Sequence, residues 1–138
     1  MKYLIVVSAL LFVLVGCSEE PKLELFSPES FAFSMGDGWE VNATVNAKGF
    51  AQIEKENSDL YYSNISYSVN LFTPEDSIYN ADYDSIIDST NEEILDIQIE
   101  SQLQLDSGFS HGQYKLEFIV VDEYSQTKDT LSTMFVLE

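Results

Sequence analysis

The sequence contains no arginine, and only one cysteine, one histidine and one tryptophan. The single cysteine excludes an intramolecular disulfide framework and any multi-cysteine zinc site. Six lysines stand against 24 acidic residues, for a formal charge of −18. Such a chain lacks the basic footprint that neutralises phosphates, which argues against nucleic acid as a partner. There is no glycine-rich phosphate loop, no Gly-x-Ser-x-Gly elbow and no histidine-rich metal motif. The lone His111 falls between Gly108 and Gly112 and reads as an exposed turn residue, so no catalytic residues are expected. What is present is an apolar content of 45 % in 138 residues, enough for one packed domain rather than a disordered chain.

The apolar residues are distributed in two ways. Residues 4–15 form a nearly uninterrupted apolar run behind Met1-Lys2. As a helix it would span about 18 Å, short of the ~30 Å hydrocarbon core of a bilayer. It therefore reads as a signal-peptide segment and not as a membrane span. The run ends in Leu14-Val15-Gly16-Cys17, which resembles the lipobox of bacterial lipoproteins. The resemblance implies a signal peptide over 1–16, lipidation of Cys17, and a tether over 17–22 that holds the domain close to an outer membrane. Palmitate-type acyl chains would supply the anchor, since each buried CH₂ contributes about 0.8 kcal/mol. Ser18-Glu19-Glu20 is similar to the surface-export signal of Bacteroidota lipoproteins, and leaves open whether the domain faces the cell surface or the periplasm.

From residue 23 onward the apolar residues alternate. Trp39, Val41, Ala43, Val45 and Ala47 interleave with Glu40, Asn42, Thr44, Asn46 and Lys48, a period of two that predicts a half-buried strand. The same pattern predicts strands over 65–71, 95–105, 114–121 and about 130–137, with a short first strand near Pro28. The 114–121 run is apolar on both faces, as are Met134 and Val136 opposite Phe135 and Leu137, which predicts central or covered positions. Residues 84–95 are the single helix candidate. The expected fold class is all-β, a single β-sandwich of about seven strands over 23–138.

Leu103, Leu105, Gly112, Tyr114, Leu116, Phe118, Val120 and Asp122 together resemble one stretch of immunoglobulin-like and fibronectin type III-like domains. The resemblance implies that the Tyr114 hydroxyl bonds back to the backbone before its strand. It also implies that Trp39 or Tyr67 supplies the large core aromatic. It says nothing of function, because this fold hosts many unrelated roles.

No lysine occurs between Lys55 and Lys115, and the acids there concentrate from Glu75 to Asp106. The simplest expectation is a solvated acidic face. Three functional readings stand beside it. Asn80, Asp82 and Asp84 have the alternating oxygen spacing of a calcium loop but fail the EF-hand pattern at Ser85 and Asn91, leaving a non-EF site, with Asp122-Glu123 as further donors. A loop region over 76–88, with Asp76, Tyr79, Asp82, Tyr83, Asp84 and Asp88, would suit a basic partner protein. Aromatics beside carboxylates would also suit a glycan. Asp76-Ser77-Ile78, Asp84-Ser85-Ile86, Asp88-Ser89-Thr90 and Asp129-Thr130-Leu131 resemble the O-glycosylation motif of Bacteroidota. The expected role is a non-catalytic lipoprotein subunit of a cell-envelope assembly, such as gliding or secretion machinery, with a glycan or calcium binder as the alternative.

Overall fold

A computed structural model describes Gly16 and residues 19–138; Cys17 and the apolar run before it lie outside the described residues. Among the described residues eight strands follow in chain order: β1 (Glu24–Met35), β2 (Gly38–Lys48), β3 (Ile53–Glu54), β4 (Tyr61–Phe72), β5 (Ser77–Thr90), β6 (Asp96–Leu105), β7 (Gly112–Asp122) and β8 (Thr127–Leu137). They pair antiparallel in two sheets, one of order β1-β2-β6 and the other β5-β4-β7-β8, with two-residue β3 also against β4. The chain is an immunoglobulin-like β-sandwich of seven long strands and one short bridge.

The alternation in the sequence is what builds the core. Val41, Ala43, Val45 and Ala47 of β2 point inward with Ile99, Leu103 and Leu105 of β6. Tyr114, Leu116, Phe118 and Val120 of β7 meet them from the other sheet, with Ile65, Val69 and Leu71 of β4 and Phe135 and Leu137 of β8. Each fully buried aliphatic or aromatic side chain contributes about 1.5–3 kcal/mol, so this interior outweighs any surface pairing. The Tyr114 hydroxyl donates to the Ser110 carbonyl at 2.7 Å, the backbone tie that the resemblance implied. Tyr114 also stacks on Phe135, with ring centroids 5.3 Å apart.

Five expectations need correction. Trp39 and Tyr67 are only half-buried, and the buried aromatics of the core are Phe50, Tyr114, Phe118 and Phe135. β1 is no short strand: it runs twelve residues, with a bulge between Phe26 and Glu29 where Ser27 has φ 50°. Pro28 sits in that bulge, where its missing N–H costs no ladder bond. β7 is central as predicted, but β8 is an edge strand, and Met134 and Val136 are exposed on it. Residues 84–90 are strand, not the start of a helix, and 76–88 is not a loop but mostly β5.

Gly49 ends β2 with φ +70°, and a Cβ there would overlap the Lys22 carbonyl oxygen. Only glycine meets both conditions without strain. This fixes where the chain enters the fold, beside the β2 terminus.

Candidate functional site

Five of the six residues of the acidic stretch lie on β5 and divide between its faces, and Asp76 stands just before it. Asp76 closes the turn before β5: Thr73 N–H and Thr73 Oγ1 donate to the Asp76 carbonyl, and Asp76 N–H donates back to Thr73 Oγ1. Tyr79 and Tyr83 point outward, 67 % and 73 % exposed. Tyr79 meets Phe72 edge-on at 6.2 Å, and Lys115 Nζ lies 4.3 Å from the Phe72 ring centre. Asp82, Asp84 and Asp88 share the parity of Ile86, which faces the other sheet through its partner Ile65. Asp84 and Asp88 are exposed nonetheless, because the three-stranded sheet does not extend beneath β5. Only Asp82 reaches across, accepting a hydrogen bond from Ser101 Oγ at 2.6 Å.

β5 pairs with β4 along one edge, and among the described residues no strand lies on its other edge. It stays long because Asn70, nearly buried at a bulge, accepts from Asn80 N–H at 3.0 Å and donates to Glu117 at 3.1 Å. That bond carries the strand past the left-handed Asn80, at φ 52°. Below β5, the Tyr67 hydroxyl donates to the Glu100 carbonyl at 3.1 Å. Partial burial raises the Tyr67 pKa above its ordinary value, and the nearby Asp82 and Asp84 charges raise it further. Tyr61 is raised as well, through its hydrogen bond and charge contact with Glu54.

The arrangement does not assemble a cation cage. Among the described residues, no three carboxylate, histidine or cysteine groups converge on a point that could hold a metal ion. Asn80, Asp82 and Asp84 lie along a strand instead of wrapping a loop. Asp122, the other calcium candidate, is completely buried and spends its oxygens on its own surroundings. It accepts from Ala51 N–H at 2.6 Å, Tyr124 N–H at 3.0 Å and Ser125 Oγ at 2.6 Å. Asp122 therefore organises the β7–β8 turn. Glu123 accepts a hydrogen bond from Ser66 Oγ.

Two features escaped the sequence reading. Phe31, Phe33 and Met35 on β1 and Met134 and Val136 on β8 are exposed apolar residues. Phe31 and Val136 line one depression of about 530 Å³ with Trp39 and Phe135. A second hollow of about 600 Å³ is lined by Trp39 and Phe109 together with Asp37, Glu40 and Asp106. Their signal was present as apolar residues on the solvent face of β1, but the bulge at Pro28 shifts the parity and hides it. His111 is exposed and meets Trp39 edge-on at 5.4 Å.

Ser77, Ser85, Ser89 and Thr130, the hydroxyl residues of the four glycosylation-like motifs, are all exposed. Each stands on β5 or β8, the two edge strands of the larger sheet. Each has its N–H bonded by the preceding aspartate, at 2.7 Å in the three serines and 2.8 Å in Thr130. The chain matches no family model and no curated protein.

Proposed function

We propose that this chain is a non-catalytic lipoprotein, anchored to an outer membrane through lipid on Cys17, and serves as an accessory or structural subunit of a cell-envelope assembly. Gliding and secretion machineries are assemblies of the fitting kind. The observation that supports this reading is β5: fourteen residues of edge strand, largely solvent-exposed, carrying aspartates and two exposed tyrosines. Exposed strands of this length are ordinarily shortened or covered, and tyrosine is a preferred anchor of binding surfaces. A partner with complementary positive charge would be steered to such a face.

The test is affinity purification of the lipidated protein from its native envelope with a C-terminal tag and mild crosslinking. One partner in fixed ratio, crosslinked through residues 76–88, is the expected result. A bait recovered alone from intact envelopes overturns the reading.

A specific observation favours one second reading. The hollow lined by Trp39 and Phe109 sets aromatic rings beside Asp37, Glu40 and Asp106, the combination that suits a sugar ring. Quenching of the single tryptophan by an oligosaccharide panel tests it directly; a flat response across the panel removes it.

A further inference from the structure

The free edge of β5 has a chemistry of its own. In an antiparallel ladder, alternate residues turn both N–H and C=O toward the partner strand and the residues between turn both away. Asn64 of β4 gives its carbonyl to Glu123 N–H, on the β7 side. The odd residues of β4 therefore face β5, and through the register Ile65↔Ile86 and Tyr67↔Asp84 they bond its even residues. Tyr83, Ser85, Ile87 and Ser89 are left with their backbone groups on the open edge. Two of those four N–H groups are already occupied: Ser85 by Asp84 Oδ1 and Ser89 by Asp88 Oδ1, both at 2.7 Å. The edge thus alternates between free donors, at Tyr83 and Ile87, and donors held by a neighbouring carboxylate.

We propose that β5 is a docking strand for an extended, basic segment of a partner protein, which adds to the sheet as its next strand. This rests on the reading of β5 as the partner face and specifies the partner's chemistry. Charge complementarity decides the occupant. The strand carries Asp82, Asp84 and Asp88 on one face, and no lysine occurs from 56 to 114. A second copy adding through its own β5 would bring these carboxylates together, and like charges facing each other across strands are destabilising. A segment with Lys or Arg at alternate positions meets Asp82, Asp84 and Asp88 on that face. Apolar residues between them meet Tyr83 and Ile87, 73 % and 72 % exposed, on the other. The same cations draw the Asp84 and Asp88 carboxylates away from the Ser85 and Ser89 amides and release them for the incoming carbonyls. The aspartates thereby hold the edge closed to neutral strands and open it to basic ones.

The probe is a twelve-residue peptide of alternating lysine and valine, added to the full ¹⁵N-labelled chain. A same-composition peptide with its lysines in one block, and an alternating threonine–valine peptide, serve as comparisons. The expected result is slowed amide exchange at Tyr83, Ser85, Ile87 and Ser89 with the alternating lysine peptide alone. Neutralising the guards in D84N/D88N weakens binding about tenfold, the effect of two exposed ion pairs. Ile87→Pro removes binding, and should fold because its N–H faces away from β4. N-methylating the bonding edge of the lysine peptide abolishes binding independently of any variant. Equal binding of the blocked peptide, or binding indifferent to N-methylation, overturns the proposal in favour of plain charge attraction. A concentration-dependent dimer that protects the same four amides overturns it in favour of self-pairing. An envelope partner crosslinked only at the Phe31–Phe33 patch overturns it too, while leaving the subunit reading intact. Recovery of no partner, with the alternating peptide bound as described, supports the docking strand and ends the subunit reading instead.

Discussion

The two long sides of the sandwich are finished differently. On one side β1 lies against β8, and side chains bridge the gap between the sheets. Thr127 Oγ1 accepts from Leu23 N–H at 3.2 Å, Asp129 Oδ2 from Leu25 N–H at 2.8 Å, and Ser30 Oγ meets Thr133 Oγ1 at 2.9 Å. On the other side β5 and β6 are joined by little more than the Asp82–Ser101 bond, and β5 projects past the smaller sheet. The first side spends its edge amides internally; the second keeps backbone groups at its rim. Stability should therefore concentrate toward the stitched side and the centre, and recognition toward the open side.

The strongest challenge to that division is in the centre. Phe118→Ala should lower unfolding free energy by about 3–5 kcal/mol, while Tyr83→Ala should change it by less than about 0.5 kcal/mol. Urea titration of both settles whether β5 lies outside the cooperative core. Next is Asp122→Ala, which leaves Ala51 and Tyr124 N–H groups without their buried acceptor. A loss of about 3 kcal/mol is expected, because the same turn delivers Thr127 to β1. Smaller, and most direct, is a paired comparison of capping aspartates. Asp129→Ala removes the acceptor of Leu25 and Thr130 and should cost about 1–1.5 kcal/mol. Asp88→Ala removes only a bond to an exposed amide and should cost under about 0.5 kcal/mol. Equal losses would erase the distinction between the sides.

The smallest effect is alkaline. Tyr67 has a folded pKa raised above 10.0, so above that pH the unfolded chain releases its proton first. Stability contributed by the protonated hydroxyl is present below pH 10 and is lost as pH rises beyond it. Tyr67→Phe should flatten the alkaline limb of a melting-temperature profile, after an initial loss from the missing bond to Glu100.

The parts of the fold readable in advance were those with one buried face. β2, β4, β6 and β7 bury alternate residues, and alternation is what a buried face leaves in a sequence. β5 buries almost nothing, so selection for a core wrote no period into it, and its run of aspartates and serines reads as loop. The acidic stretch was legible as a candidate surface, but its division into an outer tyrosine face and an inner aspartate face required the register with β4. The apolar patch around Phe31 was obscured by the parity shift at Pro28. Calcium ligation looked reachable from spacing alone, yet spacing along a strand separates oxygens that a loop would gather.

β1 begins beside Gly49 and runs antiparallel to β2 from Glu24↔Lys48 to Met35↔Gly38. A pull on the chain at residue 22, resisted by something bound at β5, enters along the axis of β1. It loads the β1–β2 ladder in shear, so that the bonds share the force together rather than yielding one after another as in a peeled strand. The seam to β8 adds a second line of resistance in the same direction. A domain held between those two points would pass the load through the β1–β2 ladder and the β8 seam together.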